Sequence, residues 1–167
     1  LHENGVEVHT IILESKFTYK YSGKLLVLGK YSKFVKYFKL KLYLKKNKIP
    51  QVIDFRYRIN PLMEFLFLNY IYAKTKIIYT VHSSKIETYL LKNTFLTKWL
   101  YGNAYKIVCV ASMIEKKVIF KHQLKNTISI YNPINLEEII EKSNEKSKLI
   151  KITPISFTTF WIYGLSA

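Results

Sequence analysis

Lys76-Ile77-Ile78-Tyr79-Thr80-Val81-His82-Ser83-Ser84 decides the fold class of this chain, because a continuous apolar and β-branched run ends there in a polar cluster. Such runs are typical of strands that are buried on both faces, as in a parallel sheet. Three further runs have the same form, and a helical pattern follows each: Val52–Phe55, Lys106–Val110 and Thr127–Tyr131. The alternation predicts an α/β fold, with a parallel sheet and helices on both of its faces.

The polar clusters behind these runs form the candidate functional site. In open parallel sheets, ligands bind beyond the carboxyl ends of the strands. The clusters contribute basic, hydroxyl, imidazole and amide side chains to that edge: Arg56, Arg58, His82, Ser83, Ser84 and Asn132. We therefore expect these residues to lie near one another, whatever their individual roles.

The chain is strongly basic, with a formal net charge of +16 over 167 residues. One domain with a sizeable core fits this length, and a hydrophobic share of 49% is that of a globular protein. Only Arg56 and Arg58 are arginines, which disfavours base-specific nucleic-acid binding, and no nucleic-acid motif is present. The lysines fit either a compositional bias toward Lys, Ile, Asn and Tyr or a surface that attracts anionic partners.

The cysteine content and the apolar segments of the sequence predict the compartment in which the protein resides. Cys109 is the only cysteine, and its apolar surroundings predict a buried thiol in a reducing compartment. The first residues lack a signal-peptide pattern, and no apolar run is long enough to span a bilayer. We therefore expect a cytoplasmic protein that associates peripherally with the inner face of the cell membrane. The four histidines lack metal-ligand spacing, so no metal site is predicted.

A basic helix over Tyr31–Asn47 is the candidate membrane contact. Lys33 and Lys36 alternate there with Phe34 and Phe38, a composition that suits the surface of an anionic bilayer. The alternative is an ordinary crossover helix whose lysines point into solvent.

At His82 and Asn132 the sequence resembles a known family, the N-terminal, acceptor-side domain of family-4 glycosyltransferases with the GT-B fold. The resemblance covers about residues 1–144 and rests on short segments in the family's order: Gly5–Val8, Lys48–Asp54, Tyr79–Ser83, Ala104–Ser112 and Ile130–Ile134. It implies a Rossmann-like domain that is one half of the GT-B fold.

The resemblance also implies an activity and a role for His82. Enzymes of this family transfer a sugar from a nucleotide-sugar to an acceptor with retention of configuration, and they need no tightly bound metal or other cofactor. A surface glycan, such as lipopolysaccharide or capsule, or a lipid-linked acceptor would be the substrate. The family's histidine at the position of His82 lies in the cleft, which makes His82 the candidate catalytic residue. From their predicted place at the same edge of the sheet, we assign acceptor binding to Arg56, Arg58, Ser83, Ser84 and Asn132.

Each of these roles has a structural alternative. His82 fits a strand-end histidine that is hydrogen-bonded to backbone. Arg56 and Arg58 fit either an acceptor phosphate or acidic sugar, or a surface salt bridge to Glu64. The two serines are better suited to capping the next helix than to holding a ligand. Asn132 shapes the turn before Pro133 and the edge of the cleft, with no chemical role.

The sequence departs from the family at both ends. The family's first strand would precede Leu1, and its donor-binding domain would follow Lys148. We therefore expect a domain over 1–146 that lacks its first strand, and an irregular tail over 147–167 that an out-of-frame end would explain. A separate chain would then carry the donor domain, and this chain alone would be inactive. Two other hypotheses stay open: a non-enzymatic basic module for anionic membrane or nucleic acid, and a remnant without function.

Overall fold

The structure is a computed structural model that describes residues 5–15, 21, 23–132, 140 and 161–166, the last six as backbone only. Strands and helices alternate along most of this length. In chain order they are β1 (Glu7–Ile12), β2 (Lys24–Val27), α1 (Lys33–Lys46), β3 (Gln51–Asp54), α2 (Pro61–Leu66), β4 (Lys76–Val81), α3 (Thr94–Tyr101), β5 (Lys106–Cys109), α4 (Ser112–His122), β6 (Thr127–Ser129) and β7 (Trp161–Ser166). A π-helical turn, Phe67–Ile71, continues α2, and a 3₁₀ turn, Ile86–Thr88, precedes α3.

The strands form one sheet in the order β2-β1-β7-β3-β4-β5-β6. Every pairing that excludes β7 is parallel; Val52 lies opposite Ile77, for example, and Thr80 opposite Val108. The predicted α/β class and parallel sheet are therefore confirmed, and the fold is consistent with a Rossmann-like half-domain. The strands form where the sequence is β-branched, because such side chains pack well on a pleated surface.

Strand β7 differs from the prediction for the end of the chain. It lies between β1 and β3 and is antiparallel to both, with Ile162 opposite both Ile11 and Asp54. An irregular tail does not describe Trp161–Ser166, which pair through their backbone in the middle of the sheet. The aromatic and apolar composition that obscured any period in the sequence suits a central strand.

The described helices lie side by side. Each of the four crossovers that contain them leads toward β6, and right-handed crossovers in one direction place their helices on the same face of a sheet. The rings of Tyr37 in α1 and Phe67 after α2 are in edge contact, at 4.9 Å between centroids. We predicted helices on both faces of the sheet, and the described helices cover one of these faces. The helix predicted to follow Thr127–Tyr131 falls outside the described residues, apart from Ile140.

The core lies between the sheet and this layer of helices. Side chains at alternate positions of the strands point into it, including Val52, Tyr79 and Ile107, and none of these three is exposed to solvent. From the helices, Leu40 and Leu44 of α1 are buried against them. Cys109 is a free, buried thiol, as predicted, and burial raises its pKa to about 12.

Candidate functional site at the carboxyl edge of the sheet

The parallel strands bring the predicted site residues to one edge. Arg56 and Arg58 follow β3, His82 follows β4, and Asn132 lies just beyond β6. Because neighbouring parallel strands end together, these segments lie side by side along the sheet. The edge divides into a buried layer of charge and a layer of aromatic rings, in which His82 is exposed, Phe55 and Tyr57 are half-buried and Tyr89 is buried.

Arg56 is the centre of the buried layer. Its guanidinium contacts both oxygens of Asp54 through Nε, at 3.1 and 3.0 Å, and Nη2 donates to Asp54 Oδ2 at 2.7 Å. Nη1 and Nη2 also donate to the two carboxylate oxygens of Glu64, each at 3.2 Å. The ring of Phe67 lies flat beneath the guanidinium carbon, 3.4 Å away. One arginine thus joins the end of β3 to α2 through two carboxylates.

Arg58 is fully buried and fastens three segments by their backbone. Its Nη1 donates to the carbonyl oxygens of Asp54 and Arg56, at 3.1 and 2.9 Å. Nη2 donates to the carbonyl of Thr80 at the end of β4, at 2.7 Å, and Nε donates to the carbonyl of Tyr89, at 2.8 Å. These carbonyls belong to the segments that carry the aromatic and imidazole rings of the site.

The buried charges balance, since two carboxylates face two guanidinium groups. Burial raises the pKa of Glu64, and the charge of Arg56 opposes that rise. Burial alone would lower the pKa of Arg56, but the carboxylates of Asp54 and Glu64 outweigh it and hold that pKa well above its usual value. The Tyr72 hydroxyl donates to Asp54 Oδ2 at 3.2 Å, and burial followed by the nearby carboxylates raises its pKa. Arg56 is therefore charged and the Tyr72 phenol neutral at pH 7.

This geometry corrects the acceptor-binding role that the sequence suggested for the two arginines. Both are buried, and their donors are directed at groups of the protein. The ion pair with Glu64 that sequence analysis left open is formed, but by Arg56 and inside the protein rather than at its surface. Arg56 and Arg58 hold the site in place; they do not face a ligand.

His82 is exposed and is flanked by aromatic side chains. Its ring lies 5.3 Å from the ring of Phe55 and 6.1 Å from that of Tyr89, between centroids. Tyr57 continues the row, 5.2 Å from Tyr89, and its hydroxyl hydrogen-bonds that of Tyr89. We call Phe55, Tyr57, His82 and Tyr89 the aromatic row. Among the described residues, no group hydrogen-bonds the imidazole of His82, so both of its nitrogens are open to a ligand.

The protonation state of His82 follows from its surroundings. Partial burial lowers its pKa, and the nearby charge of Arg58 lowers it further. The imidazole is therefore neutral at pH 7, with one nitrogen that donates and one that accepts a hydrogen bond. Burial and the hydroxyl of Tyr57 raise the pKa of Tyr89 to about 12, so this phenol is neutral as well.

The remaining predicted site residues have less direct positions. Ser83 Oγ accepts a hydrogen bond from the backbone of Lys85 at 3.2 Å, which stabilises the turn before the 3₁₀ segment. Ser84 is exposed, and its carbonyl accepts from Lys117 Nζ at 2.6 Å. The Ser83 contact favours a structural role for that side chain, in a turn rather than as a helix cap. Asn132 is exposed beyond β6, next to Tyr131, whose hydroxyl contacts Ser112 Oγ at 3.2 Å.

The predicted membrane residues of α1 divide into two groups. Lys33, Phe34 and Phe38 are exposed. Lys36 instead folds back onto the sheet, where its ammonium donates to the carbonyl of Leu13 at 2.6 Å. Lys36 is thus not available to a membrane in this arrangement, while the other three side chains are.

Sequence analysis missed Asp54 and the aromatic neighbours of His82. Asp54 lies within an otherwise apolar strand, and that position was itself a signal, because a buried carboxylate requires a partner. Phe55 and Tyr57 alternate with the two arginines along an extended segment, so opposite side-chain directions were predictable from the period of two. Tyr89 joins them through the turn after β4, which no local pattern foretold.

In the described part of the chain, no group of three or more His, Cys, Asp or Glu side chains is placed to hold a metal ion. Within the same residues, none of the helices has the length and apolarity that a membrane crossing requires.

Comparison with known proteins leaves the family resemblance without independent support. No protein-family model matches this chain, and no curated protein sequence matches it significantly.

Proposed function

We propose that this domain binds a sugar ring at the aromatic row and acts as the acceptor-side domain of a retaining glycosyltransferase. The observation that carries the proposal is the neutral, exposed imidazole of His82 beside the ring of Phe55, at the carboxyl edge of a parallel sheet. Ligands of open α/β sheets bind at that edge. The family resemblance places a cleft histidine at the same position.

The chemistry of the aromatic row suits a pyranose. A sugar ring has an apolar face of C–H groups, which packs against the electron-rich face of an aromatic ring. Its hydroxyls need hydrogen-bond partners of both kinds, and a neutral imidazole offers one donor and one acceptor. Phe55 would supply the apolar contact and His82 the polar one.

The buried layer supports this proposal through rigidity. Arg58 ties together the backbone segments that lead to Phe55, His82 and Tyr89. A site held by packed, hydrogen-bonded neighbours loses little conformational entropy when a ligand binds. The arginines that sequence analysis placed in contact with substrate thus have a role in positioning the residues that would contact it.

In the proposed reaction, the aromatic row orients an acceptor hydroxyl toward the anomeric carbon of a nucleotide-sugar. The phosphates of that donor need positive charge, which a second domain in the same or a separate chain would supply. The acceptor would be a surface glycan or a lipid-linked sugar. We expect this chain alone to bind donor weakly and to show no measurable transfer, with no tightly bound cofactor.

Saturation-transfer NMR with a panel of methyl glycosides tests the binding step without requiring turnover. We expect saturation of ring protons of at least one pyranoside by the unmodified chain, and its loss in Phe55→Ala and in His82→Ala. Phe120→Ala is the matched control, because this highly exposed ring lies near the end of α4, away from the carboxyl edge. The proposal would be contradicted if the unmodified chain saturated the protons of no glycoside, or if all three variants gave equal saturation.

A second candidate is a non-enzymatic basic module that binds an anionic membrane. The exposed Lys33, Phe34 and Phe38 of α1 favour it. Binding that is indifferent to sugars and falls steeply with salt would distinguish this function from the first. Nucleic acid is the less favoured partner, because both arginines are buried and neither is free to read a base.

A further inference from the structure

A cavity of about 590 Å³ lies at the amino edge of the sheet, opposite the carboxyl edge that carries the aromatic row. One wall is the end of α1 with the turn that leads into β3, and the other is the segment from Asn69 to Thr75 that leads into β4. We call it the amino-edge cavity. Its volume is in the range of sites that bind small molecules.

Among the described residues, four lysines line the amino-edge cavity, and they come from both of its walls. Lys41 and Lys45 lie on one side of α1, since residues four apart share a face of a helix. Lys48 belongs to the turn after α1, and Lys74 to the turn before β4. Because the two walls are distant in sequence, the fold brings these charges together, and not a local run of lysines.

The charge of these lysines is not balanced by the walls of the cavity. No Asp or Glu occurs in 41–50 or in 69–75, the two segments that line it. Within the part of the chain that the structure describes, none of the four ammonium groups forms an ion pair, whereas Lys121 has a carboxylate partner. Lys41 instead lies over the ring of Tyr70, 3.1 Å from nitrogen to centroid. The cavity therefore concentrates positive charge, which attracts anions.

Lys48 has a backbone conformation that lysine rarely adopts. Its φ is 49°, in the left-handed region that favours glycine. The turn has the hydrogen bonds of a Schellman motif: the amide of Lys48 donates to the carbonyl of Lys45 at 3.2 Å, and that of Ile49 donates to the carbonyl of Leu44 at 3.0 Å. Glycine is the usual residue at the left-handed position of this motif. Since unfavourable backbone conformations are concentrated at functional sites, lysine at this position favours a role for its ammonium group.

The alternative explanation is that the lysines offset the partial negative charge at the end of α1. That explanation covers Lys45, although the last carbonyls of the helix already accept hydrogen bonds from backbone amides, including that of Asn47. It does not extend to Lys74, which belongs to another segment, or to Lys41, which lies more than one turn before the helix ends. A binding site for an anion accounts for all four lysines.

The floor of the amino-edge cavity is apolar, and its walls are joined. Leu44, Ile49 and Ile71 line the cavity and are buried. The amide of Lys76 donates to the carbonyl of Pro50 at 2.9 Å, which connects the two walls at the start of the sheet. The lysines thus extend from fixed segments, so a ligand would not have to order the backbone in order to bind.

We propose that the amino-edge cavity binds a small molecule that carries a chain of phosphate groups. Lysine binds phosphate as a point charge, and ammonium groups on both walls of a cavity match an extended polyanion better than a single charge. The six residues of β4, about 20 Å of extended chain, separate this site from His82. It is therefore distinct from the proposed sugar site and does not depend on it.

Isothermal titration calorimetry of the full chain with sodium tripolyphosphate tests the proposal. We expect one molecule to bind per chain, with an affinity that falls as salt is raised. Lys45→Gln combined with Lys74→Gln should weaken binding about tenfold or more, because a charge is lost from each wall. The matched control, Lys92→Gln combined with Lys116→Gln, removes the same net charge from exposed positions outside the cavity. It should change the affinity by less than about twofold.

Lys48→Gly separates the loss of binding from unfolding. Glycine suits the left-handed position of the turn, while the ammonium group is removed. We therefore expect this variant to melt no lower than the unmodified chain, measured by circular dichroism, and yet to bind tripolyphosphate several-fold more weakly. Unchanged affinity in Lys48→Gly would overturn the proposal.

A second titration with ATP distinguishes two sources of such a phosphate chain. Tighter binding of ATP than of tripolyphosphate would support a nucleotide as the ligand, and weaker or equal binding would support the phosphate chain alone. Binding of neither compound, or equal losses in the cavity and control variants, would overturn the proposal. Shifts of backbone amide signals at 82–89 instead of 44–50, measured by NMR with tripolyphosphate, would also overturn it.

Discussion

The two arginines and the exposed lysines occupy opposite environments in this molecule. Arg56 and Arg58 are buried at the carboxyl edge, where their planar, forked donors match carboxylate pairs and backbone carbonyls. Lys39 and Lys45 are exposed on α1. A guanidinium is less strongly hydrated than an ammonium, so arginine is the cation that is more easily buried. The contrast shows that the net charge of a basic chain does not indicate which of its cations are buried and stabilise the site.

The largest effect should come from removing the guanidinium that joins β3 to α2. Arg56→Met leaves the carboxylates of Asp54 and Glu64 buried without their partner. We expect a loss of about 3–5 kcal/mol in the free energy of unfolding, measured by urea denaturation. Lys116→Met, at an exposed cation of α4, should change that free energy by no more than about 0.5 kcal/mol. Equal effects at the two positions would remove the distinction between buried and exposed cations.

A smaller loss is expected when Arg58 is replaced by the other basic residue. Arg58→Lys keeps the charge, but three ammonium donors cannot serve four carbonyl oxygens at the positions the guanidinium reaches. At least one buried carbonyl is left unpaired, which costs about 1–3 kcal/mol of stability. The reverse exchange on a surface helix, Lys98→Arg, should be close to neutral in the same denaturation experiment. A neutral Arg58→Lys would show that charge alone, and not the fork, holds this edge.

His82 offers a third comparison, because its side chain is exposed but lies close enough to the buried Arg58 to be affected by its charge. Partial burial and the charge of Arg58 both disfavour its imidazolium form, so its pKa should fall below the ordinary 6.5. Titration of its ring protons by NMR, assigned with His82→Gln, measures this directly. A pKa at or above 6.5 would mean that neither the partial burial of the imidazole nor the charge of Arg58 disfavours its protonation.

The smallest effect belongs to an ion pair at the surface. Lys121 Nζ lies 2.5 Å from Glu87 Oε1, and this contact lowers the pKa of Glu87 to about 2. A carboxyl whose pKa is depressed by folding stabilises the folded state above its unfolded pKa near 4.5, and the contribution is lost as the pH falls toward 2. Solvent screening limits it to less than about 1 kcal/mol.

We therefore expect Glu87→Gln to reduce stability slightly at pH 7 and to lose less stability than the unmodified chain between pH 4.5 and 2. Urea denaturation at a series of pH values measures both. Parallel curves for the two proteins across that interval would show that this pair makes no contribution.

The strands and helices were largely predictable, and the network beneath them was not. The strand predicted at Lys76–Val81 forms with those bounds, because six residues of apolar and β-branched character leave little alternative. The helical pattern expected after this strand begins with only the 3₁₀ turn Ile86–Thr88. There Arg58 binds the carbonyl of Tyr89, a tertiary contact that local propensity does not encode.

For the site, sequence analysis brought the right segments to one edge but assigned the wrong depth to the arginines. Charged and aromatic side chains alternate over residues 54–58 and so point to opposite sides of the extended segment. A shift of one residue in its register would exchange the side chains that face solvent with those that face the core. The structure turns Arg56 and Arg58 inward and leaves Phe55 and Tyr57 half-buried. What distinguishes the two outcomes is the presence of Glu64 on the next helix, which a reading of the strand alone does not include.

The central position of β7 also has a consequence for how the chain is made. Strands β1 and β3 do not pair with each other; each pairs with β7 instead. During synthesis, the pair β1–β2 and the group β3–β6 can form early, but no backbone ladder connects them until residues 161–166 leave the ribosome. Contacts between residues so distant in sequence form slowly, and unpaired strand edges invite aggregation in the interval. We therefore expect nascent chains released before β7 to carry two additional open edges, on β1 and β3, and to depend on chaperones for their solubility.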